Sequence, residues 1–149
     1  MMAPIVRVPF DALTFSDEQF YMLGASPFTG VAFETFADGA KSSETTFHDG
    51  IEQGISRFWS SSGVLLEESE KWCGACHGLT KGWTEEGRLL TEQWFEFGIK
   101  VAERRPPNPL IWRLPASDPQ HRLLVLSRSK FGPDAPLVTI EPAENGLRG

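Results

Sequence analysis

From residue 30 to residue 98 the chain runs as short, strand-like stretches rich in Val, Ile, Phe, Trp and Thr, cut at fixed intervals by glycine. Glycines stand at Gly30, Gly39 and Gly50, then at Gly54, Gly63 and Gly74, then at Gly78, Gly87 and Gly98, each position advancing by 24 residues. The units read GVAFETFADGAKSSETTFHDGIEQ, GISRFWSSSGVLLEESEKWCGACH and GLTKGWTEEGRLLTEQWFEFGIKV. Other columns keep the same register: Val31, Ile55 and Leu79; Thr35, Trp59 and Trp83; Glu44, Glu68 and Glu92. Phe47 and Phe95 share a column that Lys71 interrupts. Self-similarity at a fixed period marks a repeat architecture.

Each unit divides at its middle glycine into two segments of strand length. Asp38-Gly39, Ser62-Gly63 and Glu86-Gly87 occupy hairpin turns, where glycine supplies positive φ. The stretch from Asp49-Gly50 to Gly54, with its equivalents, turns the chain back again. The pattern predicts an all-β meander of six antiparallel strands in a single domain. In each unit Val31, Ile55 and Leu79 share parity with Thr35, Trp59 and Trp83, so one face carries an apolar row that other parts of the chain must cover. Residues 1–29, with Phe10, Leu13, Phe15, Phe20 and Tyr21, are expected to form an N-terminal cap. Residues 30–101 form the repeats. Residues 102–149 are a C-terminal extension, in which Arg104-Arg105-Pro106-Pro107-Asn108-Pro109 is a stiff connector. Beyond it Arg122–Arg128 and Pro136–Ile140 are expected to pair as a hairpin around Phe131-Gly132-Pro133-Asp134.

Composition narrows the function. The 149 residues are 40% hydrophobic and 23% charged, ordinary for a globular protein. Twenty acidic residues against 14 Lys and Arg give a net charge of −6, which disfavours direct nucleic-acid binding and suits a basic protein partner. No apolar run reaches the roughly 20 residues of a membrane span, and Met1–Phe10 lacks a signal-peptide pattern, so the expected location is cytoplasmic with Cys73 and Cys76 reduced.

The repeat resembles the MORN-variant repeat, and in particular the bacterial YwqK-like antitoxin family. The matching residues are Pro27-Phe28-Thr29-Gly30-Val31-Ala32-Phe33-Glu34, Glu44-Thr45-Thr46-Phe47-His48-Asp49-Gly50, Gly54-Ile55-Ser56-Arg57-Phe58-Trp59 and His77-Gly78-Leu79-Thr80-Lys81-Gly82-Trp83. The similarity covers about residues 20 to 100. It implies a repetitive antiparallel sheet and an antitoxin-like or immunity-like role, in which the protein binds and neutralises a cognate protein toxin.

Several residue groups invite chemistry. Cys73-Gly74-Ala75-Cys76-His77 matches the C-x-x-C-H signature of covalent haem attachment. Gly74, His77 and Gly78 are already required by the repeat, so only the two thiols need a separate explanation. Zinc needs four ligands, and His48, one repeat back, is the only further histidine near Cys73, Cys76 and His77. Neither haem nor metal is expected, and no other cofactor is. Glu44, Glu68 and Glu92 should stand on one face about 10 Å apart, on every second strand. That is too wide for paired acid–base work and suits either contacts to a partner's Lys and Arg or structural bonds within the sheet. Trp59 and Trp83 are candidate binding anchors, with packed core as the alternative. His121 has no visible partner. No nucleophile triad, phosphate loop or G-x-S-x-G elbow is present, so no enzyme activity is expected. The leading function is toxin neutralisation. The alternatives are a MORN-like scaffold for protein assembly or lipid contact and, more remotely, metal or haem binding through Cys73, Cys76 and His77.

Overall fold

The computed structural model describes residues 4–140. The chain opens with β1 (Arg7–Pro9), a single 3-10 turn (Phe10–Ala12), β2 (Thr14–Phe15), β3 (Tyr21–Leu23) and β4 (Ser26–Pro27). The repeats supply β5 (Gly30–Thr35), β6 (Lys41–His48), β7 (Ile51–Trp59), β8 (Leu65–Trp72), β9 (Ala75–Trp83) and β10 (Leu89–Glu96). β11 (Ile99–Arg104), β12 (Ile111–Arg113) and one helix, α1 (Pro119–Phe131), follow. The main sheet has the order β1-β5-β6-β7-β8-β9-β10-β11-β12; β1 runs parallel to β5 and every other neighbour is antiparallel. A small sheet, β2-β3-β4, stands apart.

The six-strand meander predicted from the glycine register is present, extended by two strands on one side and a parallel strand on the other. Its turns repeat as the sequence does. Phe36, Ser60 and Thr84 each donate their N–H to the carbonyl four residues on and accept from Gly39, Gly63 and Gly87. Between units, Asp49-Gly50, Cys73-Gly74 and Phe97-Gly98 all lie at positive φ, the two-residue turn that matches strand twist. Gly54 and Gly78 are not turn residues: they lie inside β7 and β9, where neighbouring side chains cross the backbone. A methyl at Gly78 would meet the Glu70 carboxylate at 2.6 Å, and one at Gly54 would meet Thr46 at 3.2 Å. Gly30 is the first residue of β5.

The C-terminal extension departs from expectation. Arg122–Arg128 is helical, and Pro136–Ile140 forms no strand, so the predicted hairpin does not exist. Leu123-Leu124-Val125-Leu126 is a short apolar run that either period accommodates. The deciding signal sits just ahead of it. Asp118 accepts a hydrogen bond from the Gln120 N–H (2.8 Å) as the helix cap, and Pro119 takes the first turn, where its missing N–H costs nothing.

Buried hydrophobic residues gather in two clusters at opposite ends of the sheet. Phe28, Ala32 and Phe47 pack with Val8, Phe10, Leu13 and Tyr21; Trp94, Val101, Ala102 and Leu124 pack with Leu79, Ile111 and Val138 among others. Strand register places Ala32 and Leu79 on opposite faces, so the N-terminal segment caps one face at one end and α1 the other face at the other. Neither cluster includes a residue of β7 or β8. Among the described residues no helix is long and apolar enough to cross a membrane.

Candidate functional site

On the face that α1 partly covers, three rows cross the strands. The middle row joins the three expected glutamates to cations of the intervening strands. Register pairs Phe33 with Glu44, Glu44 with Arg57, Arg57 with Glu68, Glu68 with Lys81, Lys81 with Glu92, and Glu92 with Arg104. Charge alternates over six strands. Arg57 Nε donates to Glu68 at 2.7 Å and its Nη1 approaches Glu44 at 4.0 Å, while Arg7 reaches Glu44 at 3.0 Å from β1 and Lys41 closes on the same carboxylate. Arg104 grips Glu92 through Nε, at 2.8 Å, and Nη2.

The three carboxylates are therefore not equivalent. Side-chain exposure is 10% for Glu44, 31% for Glu68 and 9% for Glu92. Burial opposes ionisation of Glu44, but hydrogen bonds and charge from Lys41 and then Arg7 outweigh it and hold its carboxyl below the ordinary value. Arg104 is also largely buried, at 12% exposure, and its guanidinium lies 5.8 Å from the centre of the Trp94 ring. Glu44 and Glu92 are thus internal ion-pair partners, poorly placed to meet a second protein. The expected placement on one face of every second strand holds, but the cations they contact belong to this chain. Two columns carried this signal: Arg57 and Lys81 stand 24 residues apart, each 13 residues after a glutamate.

Beside this row, nearer the hairpin turns, Trp59 pairs with Leu65 and Trp83 with Leu89. Both tryptophans are half-buried, and the Lys41 ammonium lies 5.2 Å from the Trp59 ring centre. Neither belongs to a core cluster. The third row holds Ile55 opposite Glu70 and Leu79 opposite Trp94, and only its Trp94 end is covered by α1. Trp59, Leu65 and Trp83, with Glu68 and Glu70 close by, thus occupy a stretch of sheet that neither cap reaches.

The C-x-x-C-H segment resolves into structural parts. Cys73 is exposed in the turn between β8 and β9, Cys76 is half-buried, and both thiols are free. Lys71 lies 3.3 Å from the Cys76 sulfur. His77 is 5% exposed, and both of its ring nitrogens are occupied. Nδ1 accepts the Phe97 N–H at 3.0 Å, which leaves the proton on Nε2 to be donated to the Pro136 carbonyl at 2.7 Å. A histidine used in this way ties β9 to the turn after β10 and to the C-terminal segment, and has no lone pair left for iron or zinc. Among the described residues no group of three or more His, Cys, Asp and Glu could hold a metal ion. His48, the other zinc candidate, lies 3.4 Å from Asp49 at an exposed turn.

Sequence reasoning missed three further ion pairs. Arg128 of α1 grips Glu96 with both ends of its guanidinium, at 2.8 and 2.7 Å, and those bonds raise its pKa. Glu103 of β11 accepts from Lys100 and Gln93 and also meets Arg105, and its carboxyl is lowered to about 2.

No family model and no curated protein matches the chain. A crystal structure of a GtfA/B complex bound to UDP and GlcNAc is similar over 78% of this chain and 29% of that chain, at 11% identity and a TM-score of 0.44. The chain thus spans under a third of that chain's length, and no functional conclusion follows from so slight a likeness.

Proposed function

We propose that the protein is an immunity-like or antitoxin-like binding module that neutralises a partner protein toxin by occlusion, holding it on the uncapped stretch of sheet over β7–β9. The observation that carries this reading is the row Trp59, Leu65 and Trp83: half-buried, outside both core clusters, and set on strands rather than loops. Aromatic anchors on a rigid support dominate interface energies, because little side-chain entropy is lost when they are covered. Glu68 and Glu70 beside them complement a basic partner, in keeping with the net charge of −6. Relative to the sequence expectation, the binding role passes from the whole glutamate column to the tryptophans and the more exposed carboxylates.

The test is surface-immobilised binding against the toxin encoded by a neighbouring gene, with toxin activity measured in parallel. Trp59→Ala and Trp83→Ala should each speed dissociation by roughly thirtyfold, the scale of a hot-spot loss of about 2 kcal/mol. Circular dichroism checks that the variants fold. Unchanged dissociation and full neutralisation by the folded double variant would place the partner elsewhere.

A further inference from the structure

Charge is divided unevenly along the chain. Residues 1–103 hold 7 Lys and Arg against 16 Asp and Glu, a net of −9, whereas residues 104–131 hold 6 against 1, a net of +5. Helix α1 itself contains no acidic residue. Its inner side is accounted for by Leu124, buried in the core, by Phe131, whose ring centre is 6.0 Å from that of Phe97, and by Arg128 on Glu96. At about 100° per residue six other positions follow one another round a single arc on the other side, with Pro119 of the first turn between Leu126 and Lys130: Val125, Ser129, Arg122, Leu126, Lys130 and Leu123. All six are exposed, and Leu123, Val125 and Leu126 are 57%, 49% and 58% accessible.

A helix that only capped the sheet would turn mixed charges outward on this arc. Instead it presents three aliphatic side chains interleaved with two cations and no anion. That combination suits the boundary between anionic headgroups and acyl chains, where aliphatic groups enter the apolar layer and cations stay with the phosphates. We propose that α1 is a membrane-surface contact, laying this arc on an anionic bilayer. A protein partner would need a groove shaped to the three aliphatic groups; an acyl boundary accepts free-standing side chains without one. The overall charge of −6 does not prevent this, because the surface field decays within a Debye length of about 10 Å and acts on the nearest charges. The residues of this contact are distinct from those of the Trp59–Trp83 surface, which lies on the same face of the sheet over β7–β9.

The test is co-sedimentation of the full chain with vesicles of phosphatidylcholine alone and of phosphatidylcholine mixed equally with phosphatidylglycerol. Each surface cation contributes about a fivefold gain, so Arg122 and Lys130 together should favour anionic vesicles by about twenty-five-fold, and high salt should abolish the preference. Arg122→Glu with Lys130→Glu should remove it. Leu123→Ser with Leu126→Ser should weaken binding to both vesicle types. These positions are exposed, and circular dichroism verifies the fold; Arg122→Gln is a milder second variant that should lose about fivefold. Equal binding to both vesicle types by the wild-type protein would overturn the proposal, as would an anionic preference indifferent to all these changes. If vesicles are ignored while the leucine variant loses toxin binding, the arc is a protein interface and the lipid proposal falls. Toxin binding lost only through the tryptophans bears on the other surface alone.

Discussion

Replacing Glu92 with Gln should destabilise the protein far more than the same change at Glu68, although the two occupy one column of the repeat. Glu92 and Arg104 are 9% and 12% exposed, and Arg104 Nη1 is buried without a hydrogen-bond partner of its own. Removing the carboxylate leaves a guanidinium, which cannot give up its proton, uncompensated beside the Trp94 ring. Breaking a buried pair from one side costs about 3–5 kcal/mol. Because both hydrogen bonds go to one oxygen, Oε1, whose place the Gln carbonyl can take, the loss belongs at the lower end, about 3 kcal/mol. For a chain of this size that is a fall in melting temperature of roughly 6–12 °C. Glu68 is 31% exposed and its Arg57 partner 40%, so water screens that pair and Glu68→Gln should cost under about 1 kcal/mol. Glu44→Gln should fall between, since Arg7, Lys41 and Arg57 surround one carboxylate and each is partly solvated. The assay is urea unfolding followed by circular dichroism, with Arg104→Met closing a double-mutant cycle; Glu92→Leu with Arg104→Met together should cost less than Glu92→Gln alone. Equal losses at Glu68 and Glu92, within about 0.5 kcal/mol, would refute the claim that burial grades this row.

Three other outcomes follow from the geometry. His77→Ala leaves the Phe97 N–H and the Pro136 carbonyl without partners, so it should cost about 1–3 kcal/mol and speed amide exchange at Phe97. Gly78→Ala should cost more than Gly39→Ala in thermal unfolding, because both have positive φ but only Gly78 is crowded, its added methyl meeting the Glu70 Cβ, which cannot swing away, at 3.1 Å. The lowered carboxyl of Glu103, at about 2 against an ordinary 4.5, stabilises the fold above pH 4.5; that contribution should fade as pH drops from about 4.5 to 2, and Glu103→Gln should flatten the melting temperature over that window.

The repeat, its turns and its six central strands were legible in the sequence because each depends on a few neighbouring residues. A positive φ at Gly39, Gly63 and Gly87 is a local demand, and it recurs whenever the local sequence does. The side-chain alternation that sets the tryptophans and glutamates on one face is equally local. Burial and pairing are not. By strict repetition Glu92 would face Arg105, as Glu44 faces Arg57 and Glu68 faces Lys81. All three pairings carry an irregularity at this place, but it takes up two residues between β6 and β7 and between β8 and β9 and only one between β10 and β11, which brings Arg104 opposite instead. That difference of one residue places a guanidinium against Trp94 and leaves the exposed Arg105 to pair with Glu103. The choice of helix for residues 119–131 belongs to the same class. Leu124 has a cavity to fill beside Trp94, Val101 and Ala102, and only the assembled end of the sheet provides it. The sequence by itself determined a repeating sheet with its turns and faces, whereas the tertiary structure decided which two of three equivalent glutamates are buried, which face each cap covers, and which tryptophans remain available, because each of these depends on contacts between segments that no repeat relates.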